Sequence, residues 1–156
     1  MKPVLFALLI LAVPAFARLG ETPAECTARY GTPIQTDKER QTLGFEKGGL
    51  FIMAEFFAGR CTSISFQKVE KDPAGNSLPF TAEEVELLRA ANSGGLKWII
   101  PISRPPDTFL WTVQGEHRYT IWPSIEKNLV KIATKEHLDR ADAARASEQK
   151  EKFKGF

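Results

Sequence analysis

Few side chains in this sequence invite covalent or acid–base chemistry. Cys61 and His117 would make a nucleophile and its base if their strands were neighbours, since a thiol needs an adjacent base to attack. Glu55 is the single carboxylate of the apolar stretch GLFIMAEFFAGRCTSISFQK, residues 49–68. Burial there would raise its pKa toward that of a general acid. Together these describe a small secreted hydrolase using Glu55 or Cys61 with His117. The alternative for each residue is structural: a carboxylate at the rim of a sheet face beside a cation, and thiols that only fill the core.

Other chemistry has no footing in the residue pattern. His117 and His137 are the only histidines and do not form H-x-x-x-H. There is no C-x-x-C pair, G-x-S-x-G elbow or phosphate-binding glycine loop, so no metal and no cofactor is expected. The net charge is +2 over 156 residues, with 43% hydrophobic and 26% charged residues. That balance favours one globular domain and gives no reason to expect a nucleic-acid partner. Trp98, Trp111 and Trp122 would serve as a platform for a glycan or peptide if exposed, although aromatic residues of strands more often fill cores. If Arg118 and Trp122 share an uncovered sheet face with Phe51, Met53 and Glu55, those five residues form a binding surface.

The elements that must position these groups centre on a β-hairpin around Gly59. A three-residue loop, Phe57-Ala58-Gly59 with a G1 bulge, pairs Ile52 with Ile64 and Leu50 with Phe66. Even-numbered residues then form an apolar face. Odd ones, from Phe51, Met53 and Glu55 to Cys61, Ser63 and Ser65, form a mixed face left partly uncovered.

Residues 1–17 read as a signal peptide. Lys2 precedes an apolar run from Val4 to Val13, and Ala15-Phe16-Ala17 is a small-x-small cleavage site before Arg18. The run is too short to span a bilayer, and no other stretch has membrane length. The expected location is periplasmic or extracellular. In such an oxidising compartment two cysteines suggest a Cys26–Cys61 disulfide. Strand parity argues the other way, putting Cys61 on the face turned from the helix that carries Cys26.

Two capping boxes mark two helices: Thr22-Pro23-Ala24-Glu25, and Thr81-Ala82-Glu83-Glu84 with Phe80 stapled onto Val85. Cys26 and Tyr30 share one face of the first helix. Val85, Leu88 and Ala91 form the stripe of the second. Strands are expected at Ile34–Thr36, Thr42–Glu46, Thr108–Val113, Glu116–Trp122 and Asn128–Ala133, with Val130 and Ile132 inward. Lys71 to Leu78 is a linker by composition. The plan of a capped helix followed by about three strands occurs twice, in halves of about 20–70 and 79–134. The chain therefore reads as an α+β domain over 18–134, an antiparallel sheet with two short helices on one face, with the element order of a tandem α-β-β-β repeat. Residues 135–156 form a charged helical tail with a thin apolar face. It is either a solvated extension or an arm that docks through Phe153 and Phe156.

The segment ARLGETPAECTARYGTP, with the hairpin and ATKEHLDRA, resembles small exported proteins of unknown function from planctomycete- and verrucomicrobium-type bacteria. That resemblance implies export and no activity. The helix bracketed by Gly20, Thr22, Tyr30, Gly31 and Pro33, with the hairpin carrying Phe57, Gly59, Arg60, Ile64 and Phe66, is similar to the outer-membrane-assembly small-lipoprotein family. It is similar also to the tandem fold of the β-lactamase inhibitor proteins. No lipidation cysteine follows the apolar run here, a departure from the lipoprotein pattern. The function expected is a non-catalytic module that binds a protein or envelope component.

Overall fold

The computed structural model describes residues 19–100, 108–113, 118–123 and 128–154. The expected signal peptide, His117 and Phe156 lie outside them. The first half is helix α1 (Pro23–Tyr30) followed by strands β1 (Gln35–Asp37), β2 (Thr42–Lys47), β3 (Leu50–Phe57) and β4 (Arg60–Lys68). The second is α2 (Ala82–Asn92) followed by β5 (Trp98–Ile99), β6 (Thr108–Val113), β7 (Arg118–Pro123) and β8 (Val130–Thr134). Helix α3 (Lys135–Lys152) ends the described chain.

All eight strands form one open antiparallel sheet in the order β1-β2-β3-β4-β8-β7-β6-β5. Each half is a helix and a four-stranded meander, and the last strands of the two meanders pair at the centre. The expected α+β architecture is present, with one more strand in each half than the outline of about three. The strand beyond those expected is the short edge β5, of two residues; the opposite edge, β1, of three, is the strand expected at Ile34–Thr36. Short edges leave little unpaired backbone for another chain to join.

Both helix starts close as their sequences predict. Thr22 and Thr81 each accept from the backbone of the residue three positions on, and Glu25 and Glu84 reach back to the cap nitrogens. Gly31, at φ 94°, ends α1, where its N–H reaches the Thr27 carbonyl. In α2 the buried stripe is Val85, Leu88 and Asn92, with Asn92 in place of the expected Ala91. Its amide donates to the Leu88 carbonyl at 2.8 Å, which satisfies one polar group inside the layer. The 71–78 linker is an ordered turn in which Asp72 accepts the Asn76 N–H at 2.9 Å.

The hairpin departs from its expected register. Ala58 and Gly59 alone make the turn, at φ 49° and 75°, and Phe57 pairs with Arg60. Two positive φ values suit a two-residue turn whose twist matches the strands. A bulge between Glu55 and Phe56 then inserts Thr62 and restores even-with-even pairing, Ala54 with Ile64 and Ile52 with Phe66. The apolar layer survives: Phe45, Ile52, Ala54, Ile64, Phe66, Val130 and Ile132 are buried with Tyr30, Val85 and Leu88. We call this helix-covered side the inner face. Cys61, however, precedes the bulge, so it falls on the inner face in the same cluster as Cys26. The parity argument against contact between the two cysteines is overturned by that one inserted residue.

Candidate functional site

The outer face is built by alternation from the centre of the sheet. Ile64 opposite Ile132 and Phe66 opposite Val130 point inward, so Ser63, Ser65 and Lys131 point outward. Across β3 and β7 the outward positions are Phe51, Met53, Glu55, Tyr119 and Ile121. Phe51, Met53, Tyr119, Ile121 and, on β6, Leu110 are all half-buried. Gly44 makes room for one of them. A Cβ there would stand 3.1 Å from Cζ of the Phe51 ring, which lies across β2.

Three of the five expected surface residues, Phe51, Met53 and Glu55, share this face. Arg118 and Trp122 do not. They keep step with Thr120, which pairs with inward Ile132, and therefore point to the helix side. Trp122 is buried there, stacked at 6.5 Å on Trp111. Arg89 lies over the Trp111 ring at 4.2 Å, and the Arg118 guanidinium donates to the Asn92 carbonyl. Trp98 donates its indole N–H to the Arg89 carbonyl at 2.7 Å. The tryptophans are thus the lining beneath α2 rather than an open platform.

At one end of the outer face the first two turns of α3 cover a polar cluster. Thr134 caps the helix by accepting the His137 N–H. Glu55 accepts from Lys131 Nζ at 3.0 Å and from the Ser63 hydroxyl at 3.0 Å. His137 Nε2 stands 3.8 Å from the same carboxylate, beyond hydrogen-bond reach. Arg140 donates to the Thr62 hydroxyl at 3.3 Å and lies 3.6 Å above the Phe57 ring at the hairpin tip. A cleft of about 430 Å³ opens here between Gln41, Glu55, Phe57, Lys131, His137 and Arg140.

The electrostatics of this cluster work against Glu55 as a general acid. Burial acts to raise the Glu55 pKa, but the Lys131 hydrogen bond and charge, aided by His137 and Ser63, outweigh it and hold the carboxyl below its ordinary range. That is the reverse of the raised carboxyl a general acid needs. Burial, then Lys131, lowers the His137 pKa against the pull of Glu55, so the imidazole is neutral at pH 7. The Ser63 hydroxyl donates its hydrogen bond to Glu55 directly, with no imidazole between them, so it is not arranged as the nucleophile of a Ser-His pair. Glu55 and Cys61 face opposite sides of the sheet and cannot share a site. The Cys26 thiol neighbour, followed by burial, pushes the Cys61 pKa far up, away from thiolate chemistry.

Lys131, His137 and Arg140 were not among the expected site residues. Inward Val130 and Ile132 imply an outward Lys131, and Thr134 with Glu136 signals the helix start that delivers His137. Only the fold could show that both meet Glu55. Among the described residues no His, Cys, Asp and Glu group is placed to hold a metal ion, and no helix is long and apolar enough to cross a membrane. Comparison of the chain with protein-family models, curated proteins and solved structures finds no match.

Proposed function

We propose that the protein is an exported, non-catalytic binding module that holds a protein or another cell-envelope component on the outer face of its sheet. One observation carries this reading: α1 and α2 join the inner-face core, while Phe51, Met53, Tyr119 and Ile121 stand half-exposed together on the other side. Aromatic and methionine side chains are enriched where proteins meet, because they bury much area at modest entropic cost. The Glu55–Lys131 pair and Arg140 give that surface a charged end. The signal-peptide pattern of residues 1–17 supports export.

The test compares the full chain with a Met53→Lys/Ile121→Lys variant, each immobilised and exposed to a bacterial envelope fraction, with residues 135–156 present or removed. The expected result is a defined component whose capture falls at least about tenfold in the charged variant, two lysines being desolvated at an interface core. Equal capture by both proteins rejects the outer face as the binding surface. Export is read separately: the protein recovered from the periplasm of an expressing host should begin at Arg18, and a cytosolic product retaining Met1 rejects it.

A further inference from the structure

The inner face places two thiols together where the chain begins to fold back on itself. Cys61 N–H donates to the Glu21 carbonyl, and Gly20 N–H donates to the Cys61 carbonyl, each at 2.7 Å. Residues 20–21 are thereby laddered onto the start of β4. Thr22 caps α1 immediately afterwards, and its carbonyl accepts the Cys26 N–H at 3.0 Å. Cys26 is therefore one helical turn beyond the residue that follows this ladder. The two side chains are 0% and 1% exposed and belong to one core cluster with Tyr30, Phe45 and Phe56. Each stands as a thiol, with Cys61 Sγ 3.3 Å from the Ser63 carbonyl and Cys26 Sγ 3.8 Å from the Glu21 carboxylate. The Cys26 thiol is also close enough to the Cys61 thiol to disfavour its ionisation.

We propose that Cys26 and Cys61 are the two ends of an intramolecular disulfide that fastens α1 to β4 when the chain folds under oxidising conditions. Two buried thiols of one core cluster are replaced by one compact apolar link. The closed loop runs through β1, β2 and β3, so the bond removes freedom from the whole first half of the unfolded chain. The oxidant is a small-molecule disulfide such as oxidised glutathione. One cysteine thiolate attacks a sulfur of that disulfide and releases a glutathione thiolate. The second cysteine thiolate attacks the mixed disulfide and releases another. Two electrons pass from the cysteine sulfurs to the glutathione sulfurs, and the two thiol protons end on the released glutathiones. Both cysteines must react before burial, because the folded layer shields them.

The experiment refolds the reduced, denatured full chain in a mixture of oxidised and reduced glutathione. It is then denatured and alkylated, and its mass is measured. A monomer 2 Da lighter than the reduced chain, taking no alkyl label and yielding a Cys26–Cys61 cross-linked peptide, supports the bond. Two alkylated cysteines, two glutathione adducts or a disulfide-linked dimer each overturn it. A second reading uses thermal unfolding. Reductant should lower the wild-type Tm by about 10 °C and leave a Cys26→Ala/Cys61→Ala variant unmoved. A wild-type Tm that ignores reductant overturns the proposal, and the thiol count stands whether or not the double variant folds.

Discussion

At the residue scale the Glu55 cluster shows how a carboxylate with catalytic surroundings becomes a structural anchor. Lys131 and Ser63 bind its charged form, and His137 is kept neutral above it. Both shifts act in the same direction on stability. The folded pKa of His137 lies below its ordinary 6.5, so the unfolded chain takes up the proton first as pH falls. The stabilisation is complete above pH 6.5 and is lost as pH drops toward the folded value. Glu55 repeats this below its ordinary 4.5, where Glu25 and Glu84, also lowered by hydrogen bonds, contribute as well. Urea midpoints measured from pH 8 to pH 4 should therefore decline on the acid side. His137→Gln should flatten the part of the decline just below pH 6.5, and an unchanged profile in that variant would reject the buried neutral imidazole. A second residue-scale expectation concerns Ala58, held at φ 49° where L residues are strained. Ala58→Asn supplies the preferred Asn-Gly turn and should raise stability by about 0.5–1 kcal/mol in denaturant titration.

At the scale of elements, α3 divides into two parts with different reasons to be helical. Its first two turns cover Ser63, Ala133 and the Glu55–Lys131 pair. From Asp142 onward every described residue is exposed, including Phe153. The outer turns rest on propensity and local ion pairs such as Arg145–Asp142, each contributing about 0.2–0.5 kcal/mol. Deleting residues 143–156 should change the unfolding free energy by less than about 0.5 kcal/mol. Deleting 135–156 should cost roughly 2–3 kcal/mol, because a buried serine and the ion pair then lose their cover. Calorimetry on the two truncations separates these outcomes, and equal losses would show that the outer turns are docked.

Across the whole molecule the two meanders share one seam, with Ile64 directly opposite Ile132 and both fully buried. The core cluster runs unbroken from Tyr30 and Phe45 to Val85, Leu88 and Trp122. The halves should therefore melt together. Ile132→Ala should cost about 2–5 kcal/mol while leaving a single cooperative transition. Two separated transitions would mean that each meander folds alone.

Much of this architecture was legible from local rules. Thr22, Glu25, Thr81 and Glu84 spell helix starts whose hydrogen bonds involve residues three apart, so no distant partner is needed to read them. The inward set of Ile52, Ile64, Phe66, Val130 and Ile132 follows from alternation within each strand, and the repeated order of elements implied a sheet with helices on one side. Three matters were decided only by the tertiary structure. The bulge at Glu55–Phe56 turned Cys61 toward Cys26, because one inserted residue reverses every side chain beyond it. The pairing of β7 with β8 turned Arg118 and Trp122 inward, because alternation says which residues share a face but not which face a distant strand presents. The meeting of Glu55 with Lys131 and His137 joined residues 76 and 82 positions apart along the chain. No local spacing encodes such a contact; it exists because β8 enters the sheet beside β4 and α3 begins where β8 ends.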